Sequence, residues 1–170
     1  LCRLLVVIRG AQSSRATLAS AMALAKKLDK VAVMAGNCPG FIGNRMLRGY
    51  SQQAQMMILE GALPAQIDKV MFDFGLAMGP FAMIDMVGLD LGWRARKMVG
   101  GSNEVTARIS DELCELGRYG QKNGKGFYQY EDGSRTPIED TEANELIRRV
   151  AAELGFEKKE FSNDEILKRC

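Results

Sequence analysis

One short stretch separates two kinds of sequence pattern in this chain: Gly36-Asn37-Cys38-Pro39-Gly40-Phe41-Ile42-Gly43-Asn44-Arg45. Short apolar runs typical of buried strands lie before it, and apolar residues at helical spacing follow it. A Pro-Gly pair at such a junction predicts a turn that leads into a helix. The fold therefore divides here into a small α/β part and a larger helical part.

The part before this stretch has the pattern of one strand-helix-strand unit. Residues 4 to 8 form a β-rich apolar run that ends at Arg9 and Gly10. Ser13 or Ser14 can cap a helix that continues to residue 28. A second strand over residues 31 to 34 follows at once, which predicts a parallel crossover at the edge of an α/β sheet.

The part after the stretch is predicted to be mainly helical, with proline and glycine marking helix ends. An aromatic segment at residues 126 to 130 is extended in character, and a polar turn over residues 131 to 135 follows it. The predicted helices run from residue 39 to just before Gly61, 64 to 74, 80 to 98 with an interruption at Gly88, 106 to 116, 141 to 154, and from about 162 onward.

Composition excludes several classes of function. The 170 residues include no histidine, so no Ser-His-Asp or Cys-His site and no His-ligated metal site can form within them. The four cysteines are widely spaced, and we predict no metal site. A net charge of +2 gives no reason to expect a nucleic-acid partner. No apolar run reaches about 18 residues, so we expect no membrane span.

Three segments carry possible chemistry. At residues 36 to 45 the predicted helix start offers free backbone N–H groups, and the amide of Asn44 can contact a substrate or instead form a cap or an interhelix hydrogen bond. Residues 78 to 93 include Asp85 and Asp90, for which packing and capping are the simpler interpretation. Residues 117 to 126 form a basic, glycine-rich turn that lacks the spacing of a nucleotide fingerprint.

Together these motifs resemble one family, the L-3-hydroxyacyl-CoA dehydrogenases of fatty-acid β-oxidation. Their amino-acid sequences most resemble the dehydrogenase part of the multifunctional enzymes in this family. The resemblance covers nearly the whole chain. The matching signatures are N-C-P-G-F-I-G-N-R-M-L (37 to 47), E-G-A-L-P-A-Q-I-D (60 to 68), M-G-P-F-A-M-I-D-M-V-G-L-D (78 to 90) and G-R-Y-G-Q-K-N-G-K-G-F-Y (117 to 128).

The resemblance implies a fold and a division into domains. We expect a mainly α chain, the helical C-terminal domain of the family, preceded by a strand-helix-strand remnant of a Rossmann sheet. Residues 1 to 36 would be that remnant of the NAD-binding domain. Residues 37 to 130 would form the helical substrate and dimerisation domain, and residues 131 to 170 a linker and the start of a further helical segment.

The resemblance also implies an oxidoreductase reaction, hydride transfer between the C3 carbon of an acyl-CoA substrate and NAD. The resemblance implies that Asn44 provides the catalytic and substrate-binding amide and that Lys122 lies near the cofactor. The family's catalytic histidine and glycine-rich NAD loop would lie upstream of residue 1, in a missing Rossmann domain. The position of the family's glutamate, 38 residues before Asn44, holds Val6. We therefore expect a fragment that is inactive alone.

Two alternatives remain. The chain could be an assembly module, a homodimer or an intramolecular helical repeat, in which methionines pack against another copy or domain. It could also be a relative that acts on hydroxy acids not linked to CoA. The expected location is bacterial cytoplasm or the peroxisome. The methionines considered for assembly are Met46, Met56, Met57, Met71, Met83 and Met86.

Overall fold

A computed structural model describes residues 3–101 and 103–170 of the chain. These residues form two compact units, Leu1–Gly49 and Tyr50–Cys170, which are described one at a time. Helices predominate among them, so the expectation of a mainly α fold is confirmed. Among the described helices, none combines the length and the apolar character that a membrane crossing requires.

The first unit contains the predicted strand-helix-strand arrangement: β1 (Leu4–Arg9), α1 (Arg15–Lys27) and β2 (Val31–Gly36). The two strands pair in parallel. Helix α1 begins where the sequence places its cap, because the hydroxyl of Ser14 accepts a hydrogen bond from the backbone N–H of Thr17 at 3.1 Å. Both strands extend beyond the predicted ends.

Helix α2 (Gly43–Leu59) begins later than predicted. The expected start at Pro39 is wrong, because Gly40 and Phe41 have φ angles of 74° and 46° and so cannot continue a right-handed helix. The turn is closed by a hydrogen bond from the N–H of Phe41 to the carbonyl of Cys38 at 3.1 Å. Asn44 therefore lies in the first helical turn.

The second unit is helical apart from one short hairpin. The predicted interruption at Gly88, where φ is 99°, separates two helices. A 3-10 turn at Gln121–Asn123 leads to strand β3 (Tyr128–Gln129), which pairs with an unpredicted strand β4 (Ile138–Glu139) in antiparallel fashion. The remaining helices are α3 (Pro64–Phe74), α4 (Pro80–Val87), α5 (Leu89–Met98), α6 (Ala107–Glu115), α7 (Thr141–Glu153) and α8 (Asn163–Arg169).

A single apolar core holds these helices together. The rings of Phe81 and Phe127, both fully buried in it, pack at a centroid distance of 4.8 Å with their planes tilted by 58°. Val150 from α7 and Ile166 from α8 are buried in the same core as the earlier helices. Residues 131 to 170 were expected to be a linker and the start of a further helical segment. Buried residues of this stretch pack with the other helices of the unit. Its assignment as a separate domain stays a prediction.

Two aspartates, the partly buried Asp68 and the fully buried Asp85, connect helices α3 and α4 to the hairpin. Asp68 on α3 accepts hydrogen bonds from the backbone N–H groups of Phe81 and Ala82 at 2.9 and 2.8 Å, and so caps helix α4. Asp85 on α4 accepts from the N–H groups of Phe127 and Tyr128 at 2.9 and 3.0 Å. The two carboxylates therefore position the start of α4 and the strand β3.

Tyrosine hydroxyls complete this buried network. Tyr128 donates to Asp68 and Tyr130 donates to Asp85, at 2.9 and 3.0 Å. Burial raises the pKa of Asp85 to about 6, although its three hydrogen bonds act in the opposite direction. Burial likewise raises the pKa of Asp68. Neither Asp85 nor Asp90 caps a helix through its side chain, so the capping role expected for them belongs to Asp68 instead.

Arg118 forms a second polar centre, with 3% of its side chain exposed. Its guanidinium donates to the carbonyl of Gly126 at 3.0 Å, to Asp140 at 2.5 Å and to Glu142 at 2.8 Å. Asp140 in turn caps helix α7 by accepting from the N–H of Glu142. One cation thus joins the glycine-rich turn to the helix that follows the hairpin.

We predict that Arg118→Met destabilises the chain by about 3 to 5 kcal/mol, because it leaves the carboxylate of Asp140 buried without its cation. The control is Arg149→Met, which removes an exposed arginine paired with Glu112 and Glu153 and should cost only about 0 to 1 kcal/mol. Urea denaturation of both variants measures the difference. Equal penalties would show that the buried pair contributes no more than an exposed one.

The raised pKa of Asp85 predicts a pH-dependent penalty for Asp85→Asn. A carboxyl with a pKa of about 6 when folded and about 3.9 when unfolded stabilises the folded state while protonated, and this contribution is lost as the pH rises through 6. The penalty should therefore be larger at about pH 4.5 than at about pH 7.5, by about 2 kcal/mol. Urea denaturation at both pH values tests this, and a larger penalty at neutral pH would contradict it.

Candidate functional site

Asn44, the proposed substrate-binding residue, lies in the first turn of helix α2. Its side chain is exposed and lines an open depression of about 720 Å³ in the first unit. Within the described part of the chain, the amide of Asn44 forms no hydrogen bond, so the cap or interhelix bond considered as its alternative is not made. The amide is free to donate to and accept from a ligand. The other lining residues are Cys38, Pro39, Gly40, Arg45 and Arg48.

The turn before α2 determines where this amide is placed. A Cβ atom at Gly40 would come within 3.2 Å of the backbone nitrogen of Arg45 and 3.3 Å of the Cβ of Asn44. The absence of a side chain at Gly40, together with its positive φ, allows the turn to pass close to the start of the helix. The first N–H groups of α2 have no partner inside the helix, so they can donate to a ligand or to water.

The depression is cationic as well as polar. Arg45 and Arg48 contribute two guanidinium groups, and none of the lining residues is acidic. Arg45 also donates to the sulfur of Cys38 at 3.7 Å, which draws the guanidinium toward the turn. The positive end of the α2 dipole adds to this field. The arrangement can therefore hold a carbonyl or hydroxyl oxygen next to Asn44 and attract a negatively charged portion of the same ligand.

Lys122, the residue proposed to lie near a cofactor, belongs to the second unit and sits in the 3-10 turn. Its ammonium donates to a carboxylate oxygen of Asp90, which is almost fully buried, and lies 5.9 Å from the ring centre of Tyr119. Arg94 contacts the other oxygen of Asp90 at 3.2 Å. The hydrogen bond from Lys122 is the main reason that the pKa of Asp90 is lowered.

The glycine-rich turn around Lys122 is ordered by specific contacts. Asn123 accepts from the N–H of Tyr119 at 3.1 Å and donates to the carbonyl of Gly117 at 2.6 Å. A Cβ at Gly120 would overlap the carbonyl of Asp85, so this glycine permits close packing on helix α4. These contacts define the conformation of the turn.

Asn44 and Lys122 were predicted from the sequence, whereas the place of Arg48 beside Asn44 and the pairing of Lys122 with Asp90 were not. Arg48 lies four residues after Asn44, a spacing that places the two on one helix face, so the pattern contained a signal for it. Asp90 is 32 positions from Lys122, and no local spacing could reveal that pair. Asn44 and Lys122 belong to different units, and each is described only within its own unit.

Known proteins that are similar to this chain in sequence and in structure point to the same family. The family described as 3-hydroxyacyl-CoA dehydrogenase, C-terminal domain, matches residues 40–130. The peroxisomal bifunctional enzyme of Homo sapiens is 42% identical over an alignment that covers 99% of this chain and 25% of that protein. The alpha subunit of the fatty acid oxidation complex of Pseudomonas entomophila is 36% identical over 96% of this chain and 24% of its own length.

Solved structures show the same relationship. The dehydrogenase part of multifunctional enzyme 1 from C. elegans matches with a TM-score of 0.75 and 35% identity, covering 99% of this chain and 38% of that one. An (S)-3-hydroxybutyryl-CoA dehydrogenase from Ralstonia eutropha matches with a TM-score of 0.66 and 33% identity over 77% of this chain and 48% of its own. The chain spans about a quarter of the length of the curated relatives it matches.

We predict that Lys122→Met raises the pKa of Asp90, because the charge-assisted hydrogen bond that favours the carboxylate is lost. Lys125→Met, three residues further along the same turn, removes an equal charge from an exposed lysine and serves as the control. Carbon-13 NMR titration of the Asp90 carboxyl measures the shift. An unchanged titration in Lys122→Met would show that this lysine does not control the charge of Asp90.

Proposed function

Because the chain belongs to the 3-hydroxyacyl-CoA dehydrogenase family, we propose that it supplies the helical, substrate-contacting part of an NAD-dependent L-3-hydroxyacyl-CoA dehydrogenase of fatty-acid β-oxidation. In this reaction the C3 carbinol carbon gives a hydride to the nicotinamide and its hydroxyl gives a proton to a base, which leaves a 3-oxoacyl-CoA. The observation that carries the proposal is the unpaired amide of Asn44 at the start of α2.

Asn44 is proposed to contact the oxygen on C3 of the substrate. Its amide N–H₂ can donate to this oxygen in both the alcohol and the ketone, and its amide oxygen can accept from the alcohol. A donor held at a helix start needs little rearrangement as the carbonyl develops, which is the condition for electrostatic stabilisation of the reaction. Arg45 and Arg48 line the same depression and would favour the anionic CoA portion.

Binding of NAD by these residues alone is not supported by their chemistry. The chain has no G-x-G-x-x-G loop and no histidine, and its proposed cofactor contact, Lys122, donates to Asp90. One exposed ammonium can at most contribute a contact to an anionic group of the cofactor. NAD, which would accept the hydride when bound, is therefore proposed to be held mainly by a Rossmann domain outside these residues.

The proposed partners and location follow from the same relationships. The chain spans only about a quarter of the length of its curated relatives. We therefore propose that its partners are an adjoining Rossmann domain and an acyl-CoA substrate, and that the whole enzyme has further activities. The relatives include peroxisomal enzymes and a bacterial fatty acid oxidation complex subunit, which supports a peroxisomal or bacterial cytoplasmic location. The alternative considered above, a relative that acts on hydroxy acids not linked to CoA, would bind those acids in preference to CoA thioesters.

A second candidate function is assembly, favoured by apolar side chains at the surface of the described residues. Met46 is 75% exposed and Met86 47% exposed, whereas Met57 and Met71 are buried in the core. The methionines considered for assembly are thus divided between core and surface. A sedimentation coefficient that rises with concentration would favour a homodimer, and a strictly monomeric chain with no exposed apolar patch would remove support for the assembly function.

We predict that the purified chain produces no detectable NADH from L-3-hydroxybutyryl-CoA and NAD, because none of its side chains is an imidazole that could take the hydroxyl proton. Absorbance of NADH at saturating substrate measures this. The human bifunctional enzyme, assayed in parallel, verifies the substrate and the detection. Measurable turnover by the chain alone would contradict the proposal that the catalytic base lies outside these residues.

We further predict that Asn44 is required in a hybrid in which this chain replaces the aligned stretch of the human bifunctional enzyme. Because Val6 occupies the family's glutamate position, the hybrid is tested with Val6→Glu in the background. Asn44→Ala should lower kcat by about 100-fold, in the range for loss of one donor to a developing oxyanion. Asn103→Ala removes an exposed amide elsewhere and should leave kcat unchanged. Equal kcat in both variants would exclude the proposed role.

A further inference from the structure

The second unit contains an apolar cavity of about 540 Å³ that includes none of the proposed site residues. Its volume lies within the range of about 300 to 1,000 Å³ that is typical of small-molecule sites. Buried residues from the end of α2, the following loop and helix α7 form its floor. These floor residues are Ile58, Leu59, Ala62, Ile147 and Ala151.

One wall of the cavity is a chain segment, residues 156 to 161, which we call the strap. The N–H of Lys159 donates to the carbonyl of Glu60 at 2.7 Å, and the side chain of Gln66 donates to the carbonyl of Phe161 at 2.9 Å. A Cβ at Gly61 would lie 2.7 Å from the carbonyl oxygen of Lys159, so the strap approaches the loop as closely as a glycine allows. The wall is therefore fixed at two points.

The lining of the cavity carries uncompensated positive charge. Arg148 on α7 and Lys158 on the strap are exposed, and neither has an ion-pair partner among residues 3–101 and 103–170. Lys159 is paired with Glu60 at 3.6 Å. Glu160 is the one acidic lining residue. An apolar floor beside two free cations suits a ligand with an alkyl chain and an anionic head.

We propose that this cavity binds a free medium-chain fatty carboxylate. The alkyl chain would lie on the apolar floor, and the carboxylate would lie between Arg148 and Lys158. An acyl thioester carries no charge at that position, so it would leave both cations unpaired. A helix of a partner protein has a diameter of about 10 Å, and this volume would hold little more than one of its turns.

This site is independent of the proposed dehydrogenase function, because its residues do not include Asn44 or Lys122. Loss of fatty-acid binding would leave the NADH assay of the hybrid enzyme unaffected, and an inactive hybrid would leave this binding intact. The two proposals can therefore fail separately.

Isothermal titration of the 170-residue chain with decanoate tests the proposal, with NMR of the backbone amides of Ala151 and Phe161 to locate the ligand. We expect saturable binding below about 1 mM, with shifts at both amides. Butyrate, which keeps the carboxylate but lacks the chain, and decanol, which keeps the chain but lacks the charge, should each bind at least about tenfold more weakly. Tighter binding of decanoyl-CoA than of decanoate would overturn the choice of occupant.

Two variants assign the binding to named residues. The double variant Arg148→Gln/Lys158→Gln should raise the Kd of decanoate at least about tenfold and leave decanol binding unchanged. Ala152→Trp, at an exposed lining position, should fill the cavity and abolish binding of both. Lys27→Gln/Lys125→Gln removes two exposed lysines elsewhere and is the matched control. Circular dichroism melting establishes that each variant is folded. Decanoate binding that is absent, or equal in all variants, would overturn the proposal.

Discussion

Two carboxylates, the partly buried Asp68 and the fully buried Asp85, set the geometry of the helical unit. A carboxylate removed from water must find several donors or become protonated, and these two have the backbone of α4, the backbone of β3 and two tyrosine hydroxyls. The donors can converge only where neighbouring residues have no side chain in the way. A Cβ at Gly79 would overlap Asp68, and one at Gly126 would overlap Asp85. The glycines of separate motifs are therefore spatial requirements of the same network.

This network explains why motifs far apart in sequence occur together. The segments at 60 to 68, 78 to 90 and 117 to 128 supply its parts. The first provides the acceptor Asp68, the second provides the capped start of α4 and the acceptor Asp85, and the third provides the bound amides of Phe127 and Tyr128. Arg118 extends the same arrangement to helix α7 through Asp140. The family motifs of the helical domain thus describe how the unit folds as much as what it binds, and only Asn44 among the site residues has an unpaired side chain.

Local signals in the sequence predicted much of the fold. Proline at the first turn and glycine at the end located α3, and Ser14 located the start of α1. The start of α2 could not be read this way, because Phe41 adopts a left-handed conformation that its residue type disfavours. Strand β4 has two residues and is defined by its pairing with β3, so it is too short for a periodic sequence pattern to predict it. The roles of Asp68 and Asp85 depend on contacts between distant residues and were not predictable.

For the candidate site, the motif around Asn44 was informative because its chemistry is local: a turn, a helix start and an amide lie within ten residues. Lys122 was identified by family resemblance alone, and its pairing with Asp90 depends on how α5 packs against the turn. The fatty-acid cavity had no local signature, since its floor comes from α2 and α7 and its wall from the strap. A site formed by one segment was therefore predictable from the sequence, and sites formed by several distant segments were not.

The attachment of strand β3 to Asp85 has a consequence for motion. A two-residue strand would ordinarily open and close freely, since few ladder bonds hold it. Here the amides of Phe127 and Tyr128 are bound by a side chain of helix α4 and lie in the protein interior, so they become available to solvent deuterons only when that helix separates from the hairpin. This small piece of sheet thereby opens together with helix α4 as one cooperative element.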